Sequence, residues 1–293
     1  MSAVHPFAWH NDRLVPCASL ALSPLQAGLL TGWGLFSTLR IYRGVPFALE
    51  DHWARLLHDG ERLQVEVAPL WDALVAGIEA LVERNQAHEA VLRLYLVRNE
   101  GGLVSARAAQ PTDLLLFTLP LRVWGSTARL LLQPHGRHAA APLAGTKTLT
   151  WSHNLVLVER AHARGCDDCL LLNERDEVAE CTSANIFLEQ GGALLTPPLS
   201  SGALAGISRK VLLEAGPRHG LPVREAVLTT AALEAAGEVF ITSSTREVQP
   251  VSHLDGRPLP AGPWSARAAT VLRAEIDAYV NGRSRRATQP AKA

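Results

Sequence analysis

Lysine is scarce in this chain, and that makes one lysine worth a chemical reading. Of 28 basic residues only three are lysine: Lys147, Lys210 and Lys292. Lys147 stands mid-chain in Ala144-Gly145-Thr146-Lys147-Thr148-Leu149-Thr150-Trp151. A guanidinium is always charged and cannot condense with a carbonyl. An ammonium can lose its proton where the surroundings disfavour charge, and it is then a nucleophile. A lone loop lysine is ordinarily a solvated surface residue, so the weight falls on what else the chain carries. Gly206-Ile207-Ser208 opens an expected helix, where free backbone N–H groups and the positive end of the dipole meet a hydroxyl. Ser243-Ser244-Thr245 follows an expected strand over 238–242 and adds three hydroxyls at a strand end. Helix starts and Ser/Thr clusters are common, and neither segment says much alone. Joined to an imine-forming lysine, they point to pyridoxal 5′-phosphate (PLP), which is both an aldehyde and a phosphate. That cofactor also needs an acid beside its ring nitrogen. Glu180, at the end of an expected strand and before Cys181-Thr182-Ser183, is placed for the task.

Two groups of elements must position these residues. Residues 7–22 alternate about Asn11-Asp12 as two short strands, and Ser23-Pro24 opens a brief helical turn. Residues 35–42 (LFSTLRIY) read as a strand that Arg43-Gly44 turns into 45–49. From Glu50 the period becomes helical: Trp53, Leu56, Leu57 and Leu63 share a face, with Arg55 off that stripe. A second helix is expected over 71–83 and strands over 91–97 and 113–119, closing a small N-terminal domain at 1–121. Residues 122–127 read as a linker and 128–282 as a larger domain. There Ser152 can cap a helix that stops at Gly165, and strands are expected at 169–172, 177–180 and 183–188. A last amphipathic helix is expected over 264–280, followed by a disordered tail, 283–293.

Composition narrows the function classes. Apolar residues make up 47% and charged residues 19% of 293, which is globular. Formal net charge is zero, so neither nucleic acid nor an anionic membrane is favoured as a partner. The first residues show no basic region followed by an apolar run, and no apolar stretch approaches the ~20 residues of a membrane span. Cys166 and Cys169 form a C-x-x-C without the second half of a zinc site, and the pair runs into Leu170-Leu171-Leu172. With Cys17 and Cys181 they read as reduced thiols of a cytoplasmic protein, and no metal site is expected.

Five ordered blocks carry a family resemblance over about residues 5–280. They are His52-Trp53-Ala54-Arg55-Leu56; Lys147 with Trp151-Ser152-His153-Asn154; Glu180-Cys181-Thr182-Ser183-Ala184-Asn185-Ile186-Phe187; Thr196-Pro197-Pro198 through Gly206-Ile207-Ser208-Arg209; and residues 240–250. The chain resembles the fold-type IV PLP enzymes, or class IV aminotransferases. That family includes branched-chain and D-amino-acid aminotransferases and aminodeoxychorismate lyases. The resemblance implies an α+β, two-domain fold with a small N-terminal α/β domain and a larger C-terminal domain with a β-barrel-like core. It implies that Lys147 holds PLP as an imine and then moves a proton, and that Glu180 pairs with the ring nitrogen. Arg55, Ile207, Ser208, Ser243 and Ser244 would hold the phosphate, and the N–H groups of Ser244 and Thr245 would receive a substrate carboxylate. It also implies a homodimer.

Departures from the pattern bear on the reaction. Phe36-Ser37-Thr38 resembles the lyase branch, where a threonine near this point is implicated in catalysis. Arg93 stands where that branch carries lysine and some branched-chain enzymes carry arginine. Leu103 stands where the lyases tend to have an arginine, which speaks against that branch. Trp151 replaces a common tyrosine and enlarges an apolar wall. Arg98 resembles, in sequence offset only, an arginine that grips the substrate carboxylate in D-amino-acid enzymes, and Arg246 is a second candidate for such a clamp. The expected substrate set is Phe36, Thr38, Arg93, Arg98, Trp151 and Thr245. The expected reaction is transfer of an amino group from an aliphatic or branched-chain amino acid to a 2-oxo acid. The alternative is an aminodeoxychorismate lyase releasing pyruvate and 4-aminobenzoate.

Overall fold

The computed structural model describes residues 4–101 and 110–287, so Leu103 and the end of the tail lie outside the described residues. The chain divides into two units: one of 1–122, 147–151 and 278–293, the other of 123–146 and 152–277. In the first, the elements are β1 (Phe7–His10), β2 (Arg13–Pro16), α1 (Ala27–Thr31), β3 (Gly34–Tyr42), β4 (Val45–Pro46), α2 (Leu49–Leu63), α3 (Trp71–Arg84), β5 (Ala90–Arg98) and β6 (Thr112–Pro120). They form one antiparallel sheet in the order β2-β1-β6-β5-β3-β4. Leu39, Ile41, Leu92, Leu94, Leu96 and Leu116 turn one face of it onto Leu56 and Leu63 of α2 and Leu74, Ile78 and Leu81 of α3. Glu50 and Asp51 in the first turn of α2 suit its dipole, and left-handed Gln64 ends it. The buried stripe of α2 is Leu49, His52, Leu56, Asp59, Gly60 and Leu63, every third or fourth residue. Two ionisable side chains, His52 and Asp59, therefore sit in an otherwise apolar seam. Arg55 lies off it, half-buried.

The second unit contains β7 (Ala128–Gln133), α4 (Ser152–His162), β8 (Asp168–Leu172), β9 (Val178–Cys181), β10 (Asn185–Gln190), β11 (Ala193–Thr196), α5 (Ile207–Ala215), β12 (Val223–Glu225), α6 (Thr230–Glu234), β13 (Glu238–Ser243), β14 (Glu247–Leu254) and β15 (Arg257–Pro258). Its sheet runs β12-β11-β10-β13-β14-β7-β8-β9, with β15 on β14 and β7 parallel to both neighbours. β9, at one end of that path, also lies against β10, so the sheet curls on itself as a barrel-like core requires. On the other face of the sheet from the core cluster of Ile186, Leu188, Val239 and Ile241, Phe187 and Phe240, paired across β10 and β13, stack at 5.1 Å and 6°, an arrangement worth about 1 kcal/mol beyond the area it buries.

Three expectations change. β14 is unforeseen because Pro250 interrupts it. The proline sits opposite Phe240, and the ladder shifts between Val251 and His253, which lets an interior strand accept it. α4 includes Ser152 rather than following it as a cap. The last helix, α7 (Trp264–Ala287), takes in 283–287, which were expected to be disordered; arginine and alanine are good helix formers and outweigh Gly282. Among the described residues no helix is long and apolar enough to cross a membrane.

Candidate active site

Lys147 is fixed by its backbone before its side chain enters the account. Its N–H donates to Asp59 Oδ2 (3.1 Å), and its carbonyl accepts the N–H of Phe36 (3.1 Å). Leu149 N–H bonds Gly34 O (2.9 Å) and Thr148 bridges Leu35, so 147–149 form a short antiparallel addition to the start of β3. The preceding Gly145 is left-handed (φ 72°), a conformation other residues adopt only under strain. Lys147 Nζ lies 4.4 Å from the centre of the Phe36 ring. Trp151 meets that ring edge-on and Tyr95 stacks with it, both at 6.1 Å.

Helix α2 supplies three polar groups beneath this segment. Arg55 Nη2 donates to Ser37 Oγ (3.0 Å) and also lies 3.4 Å from His52 Nδ1, which Ser37 Oγ meets at 2.8 Å; a guanidinium only donates, so Nδ1 is the acceptor. Acceptance at Nδ1 leaves the proton of a neutral ring on Nε2. Burial, then the charges of Arg55 and Lys147, hold His52 well below the usual histidine range. Burial pushes the Asp59 carboxyl up; the Lys147 N–H and the charges of Arg55, His58 and Arg62 oppose that rise.

Strand pairing sorts the expected substrate residues. Phe36 faces Tyr95 and Thr38 faces Arg93 across β3 and β5, so these four share a side of the sheet. Arg98, five residues along β5 from Arg93, takes the opposite side with Leu94 and Leu96. There it stacks on Trp33 at 4.1 Å and donates to Gln64 O (2.6 Å) and Glu100 O (2.7 Å). The structure therefore does not bring Arg98 together with Arg93, because strand parity separates them.

In the second unit, Glu180 lies in β9 and is 6% exposed. Its Oε1 accepts from Arg137 Nε (3.1 Å) and Nη2 (3.0 Å), and its Oε2 from Leu204 N–H (3.0 Å) and Asn185 Nδ2 (3.5 Å). Arg137 Nη1 also donates to Asn154 Oδ1 (3.1 Å). Ile207 and Ser208 open α5, both 5% exposed, after extended Gly206. A Cβ at 206 would collide with Asn185 Oδ1, so any larger residue there would displace that amide. Arg209 Nη2 ties α5 to Pro197 O (2.8 Å). Ser243, Ser244 and Thr245 form a half-exposed turn after β13, where Arg246 N–H donates to Ser243 Oγ (3.2 Å) and Trp124 Nε1 donates to Thr245 O (3.0 Å). Arg246 is neither a solvent-facing residue nor an accessible clamp; it is buried against Asp168 (3.2 Å) and over Trp124 (4.1 Å).

Sequence reasoning missed Asp59, Arg137 and Asp168. A charged residue in the apolar stripe of α2 is the signal for the first. Arg137, in a stretch without periodicity, leaves no such trace. All four cysteines are free, and among the described residues no cluster could hold a metal. Burial raises the thiols of Cys166, Cys169 (to about 11) and Cys181, so the C-x-x-C is held as thiol.

Comparison with known proteins gives consistent findings. The model of the family described as amino-transferase class IV matches residues 34–254. A protein of Methanocaldococcus jannaschii, provisionally named a branched-chain-amino-acid aminotransferase, is 29% identical over 84% of this chain and 87% of its own length. A D-alanine aminotransferase of Bacillus licheniformis is 26% identical over 91% of this chain and 95% of its own. Among solved structures, a T.th. branched-chain amino acid aminotransferase with pyridoxamine 5′-phosphate superposes with a TM-score of 0.84. It is 26% identical and covers 93% of this chain and 95% of its own.

Proposed function

This chain belongs to the class IV amino-transferase family, and on that premise we propose that it moves an amino group between an aliphatic or branched-chain amino acid and a 2-oxo acid with PLP as cofactor. The single observation that carries this is Lys147, held at both its N–H and its carbonyl so that Nζ meets the Phe36 ring. The relatives support the reaction, being named branched-chain and D-alanine aminotransferases. The lyase alternative is not favoured on the same ground.

The donor set fits PLP. A helix start that is buried and has only glycine before it is a seat for an anion, and α5 provides one. Lys147 would hold the aldehyde and Glu180 the ring nitrogen. Arg55, Ile207, Ser208, Ser243 and Ser244 would hold the phosphate. When bound, PLP supplies an electron sink for the charge that develops at the substrate Cα. Lys147 Nζ would then serve as the base that takes the proton from the substrate Cα and passes it to the former aldehyde carbon, two atoms along. Arg137 fixes the Glu180 carboxylate through two of its nitrogens, so that the acid cannot swing away from its task. Phe36 and Trp151 keep water from the exposed face of Nζ and favour apolar side chains. The N–H groups of Ser244 and Thr245 orient the substrate carboxylate. We place the enzyme in the cytoplasm as a homodimer. The free cysteines support the first, and exposed Leu155 and Val156 on α4 support the second.

The test is a substrate panel. Purified protein given PLP is offered L-leucine, D-alanine or aminodeoxychorismate, with and without a 2-oxo acid. Acceptor-dependent amino transfer from leucine or alanine is expected. Release of 4-aminobenzoate without an acceptor would reverse the assignment, and protein that stays colourless with PLP would end the cofactor claim.

A further inference from the structure

Asp168, at the start of β8, is fully buried, and both of its carboxylate oxygens are saturated. Oδ1 accepts from Cys169 N–H (2.8 Å), Thr182 N–H (3.1 Å) and the Thr182 hydroxyl. Oδ2 accepts from the Ser183 hydroxyl (2.7 Å) and Arg246 Nη2 (3.2 Å), and Arg246 Nη2 also donates to Ser183 Oγ (3.1 Å). One carboxylate thus gathers two segments far apart in sequence. Thr182 and Ser183 come two and three residues after Glu180, and Arg246 follows directly on the 243–245 turn. Arg246 is 8% exposed and lies over Trp124, which in turn holds Thr245 O. Its Nε and Nη1 have no hydrogen-bond partner among the described residues, so its polar hold runs through Nη2.

Burying a charged pair is costly, and a well-packed apolar pair would often be at least as stable. The use of such a pair is to fix geometry. We propose that Asp168 and Arg246 are positioning residues, a buried charged latch that fixes the 243–246 turn and the 181–183 segment to one anchor and thereby sets the turn's grip on an anion. Neither residue touches the ligand; the latch acts through Ser243, Ser244 and Thr245. It rests on the reading that this turn holds the phosphate of PLP.

The full-length apoprotein tests this with Arg246→Met, Arg246→Lys and Asp168→Asn. Hydrogen exchange at 181–183 and 243–247 is followed by mass spectrometry, and affinities for PLP and for pyridoxal, which lacks the phosphate, by calorimetry. In Arg246→Met the exchange rises in both segments together. PLP weakens about tenfold, the scale of one lost charge-assisted hydrogen bond. Pyridoxal stays within about twofold, well under the 1.4 kcal/mol of a tenfold change. Arg246→Lys, which keeps one charged donor, recovers part of the loss, and it carries the same comparison should Arg246→Met fail to fold. Unchanged exchange in either segment, or equal weakening of both ligands, overturns the latch. Wild-type protein that binds PLP no tighter than pyridoxal would instead remove the phosphate role, and the coupled exchange would still decide whether the latch exists.

Discussion

Asp59 allows two substitutions with opposite expected signs. It is 1% exposed, yet its carboxylate is the acceptor for the Lys147 N–H at 3.1 Å. Asp59→Ala leaves that N–H without its acceptor, a loss of about 2 kcal/mol by the usual penalty for a buried unsatisfied donor. Asp59→Asn keeps an oxygen for the N–H and removes the buried charge. Because burial raises this carboxyl above its unfolded value of 3.8, the ionised side chain weakens the fold above the folded pKa, and the penalty vanishes below 3.8, where both states are protonated. Asn is therefore expected to gain up to about 1 kcal/mol at neutral pH, a partial relief of the desolvation cost, with the gain shrinking towards pH ~4. Urea unfolding of the apoprotein at the two pH values gives the signs, and amide exchange at Lys147 gives the local effect: protection is lost in Ala and kept in Asn. If Asn proves as damaging as Ala at neutral pH, the charge, not the acceptor, holds Lys147 in place, and the reasoning fails.

Other substitutions test the remaining parts. Lys147→Ala should abolish the visible absorption of protein mixed with PLP and the thermal stabilisation PLP confers; a retained yellow colour would assign the carbonyl to another amine. Arg137→Met strands a buried carboxylate whose partner is itself about a fifth exposed, so a cost of about 2 kcal/mol is expected, less than for a fully buried pair. Glu180→Gln, which leaves a guanidinium that water can reach, should cost less, and urea midpoints of both apoproteins would show the reverse order if the pair is not the cause. His52 is held neutral, its folded pKa below the unfolded 6.5, so the stability it supports is whole above 6.5 and is lost as pH falls towards the folded value. His52→Gln should flatten the fall in urea midpoint between about pH 7 and about pH 5.5, the span in which an unfolded histidine takes up its proton; an unaltered slope would place the acid sensitivity elsewhere.

Much of the fold was legible because period and punctuation agreed. The strand over 35–42 and the α2 helix announced themselves by alternation and by a three-to-four repeat. β14 did not, since Pro250 argues against an interior strand unless a shift of register can be foreseen, and nothing local foretells it. For the candidate site, residue type carried information where it was scarce or out of place, as with Lys147 among arginines. Asp59 was equally visible as a charge in an apolar seam and went unread. Arg137 meets Glu180 and Asp168 meets Arg246 across 43 and 78 residues, and such pairs exist only once the curled sheet brings them together.

The alternation of β5 has a consequence for anyone reshaping selectivity. Arg93 and Tyr95 look one way, while Leu94, Leu96 and Arg98 look the other. Arg93 and Tyr95, half-buried, are open to redesign, whereas Leu94 and Leu96 belong to the interior. A homologue longer or shorter by a single residue between Arg93 and Arg98 would bring the two arginines to the same side of the sheet, so alignments across this strand must be judged by parity before identity.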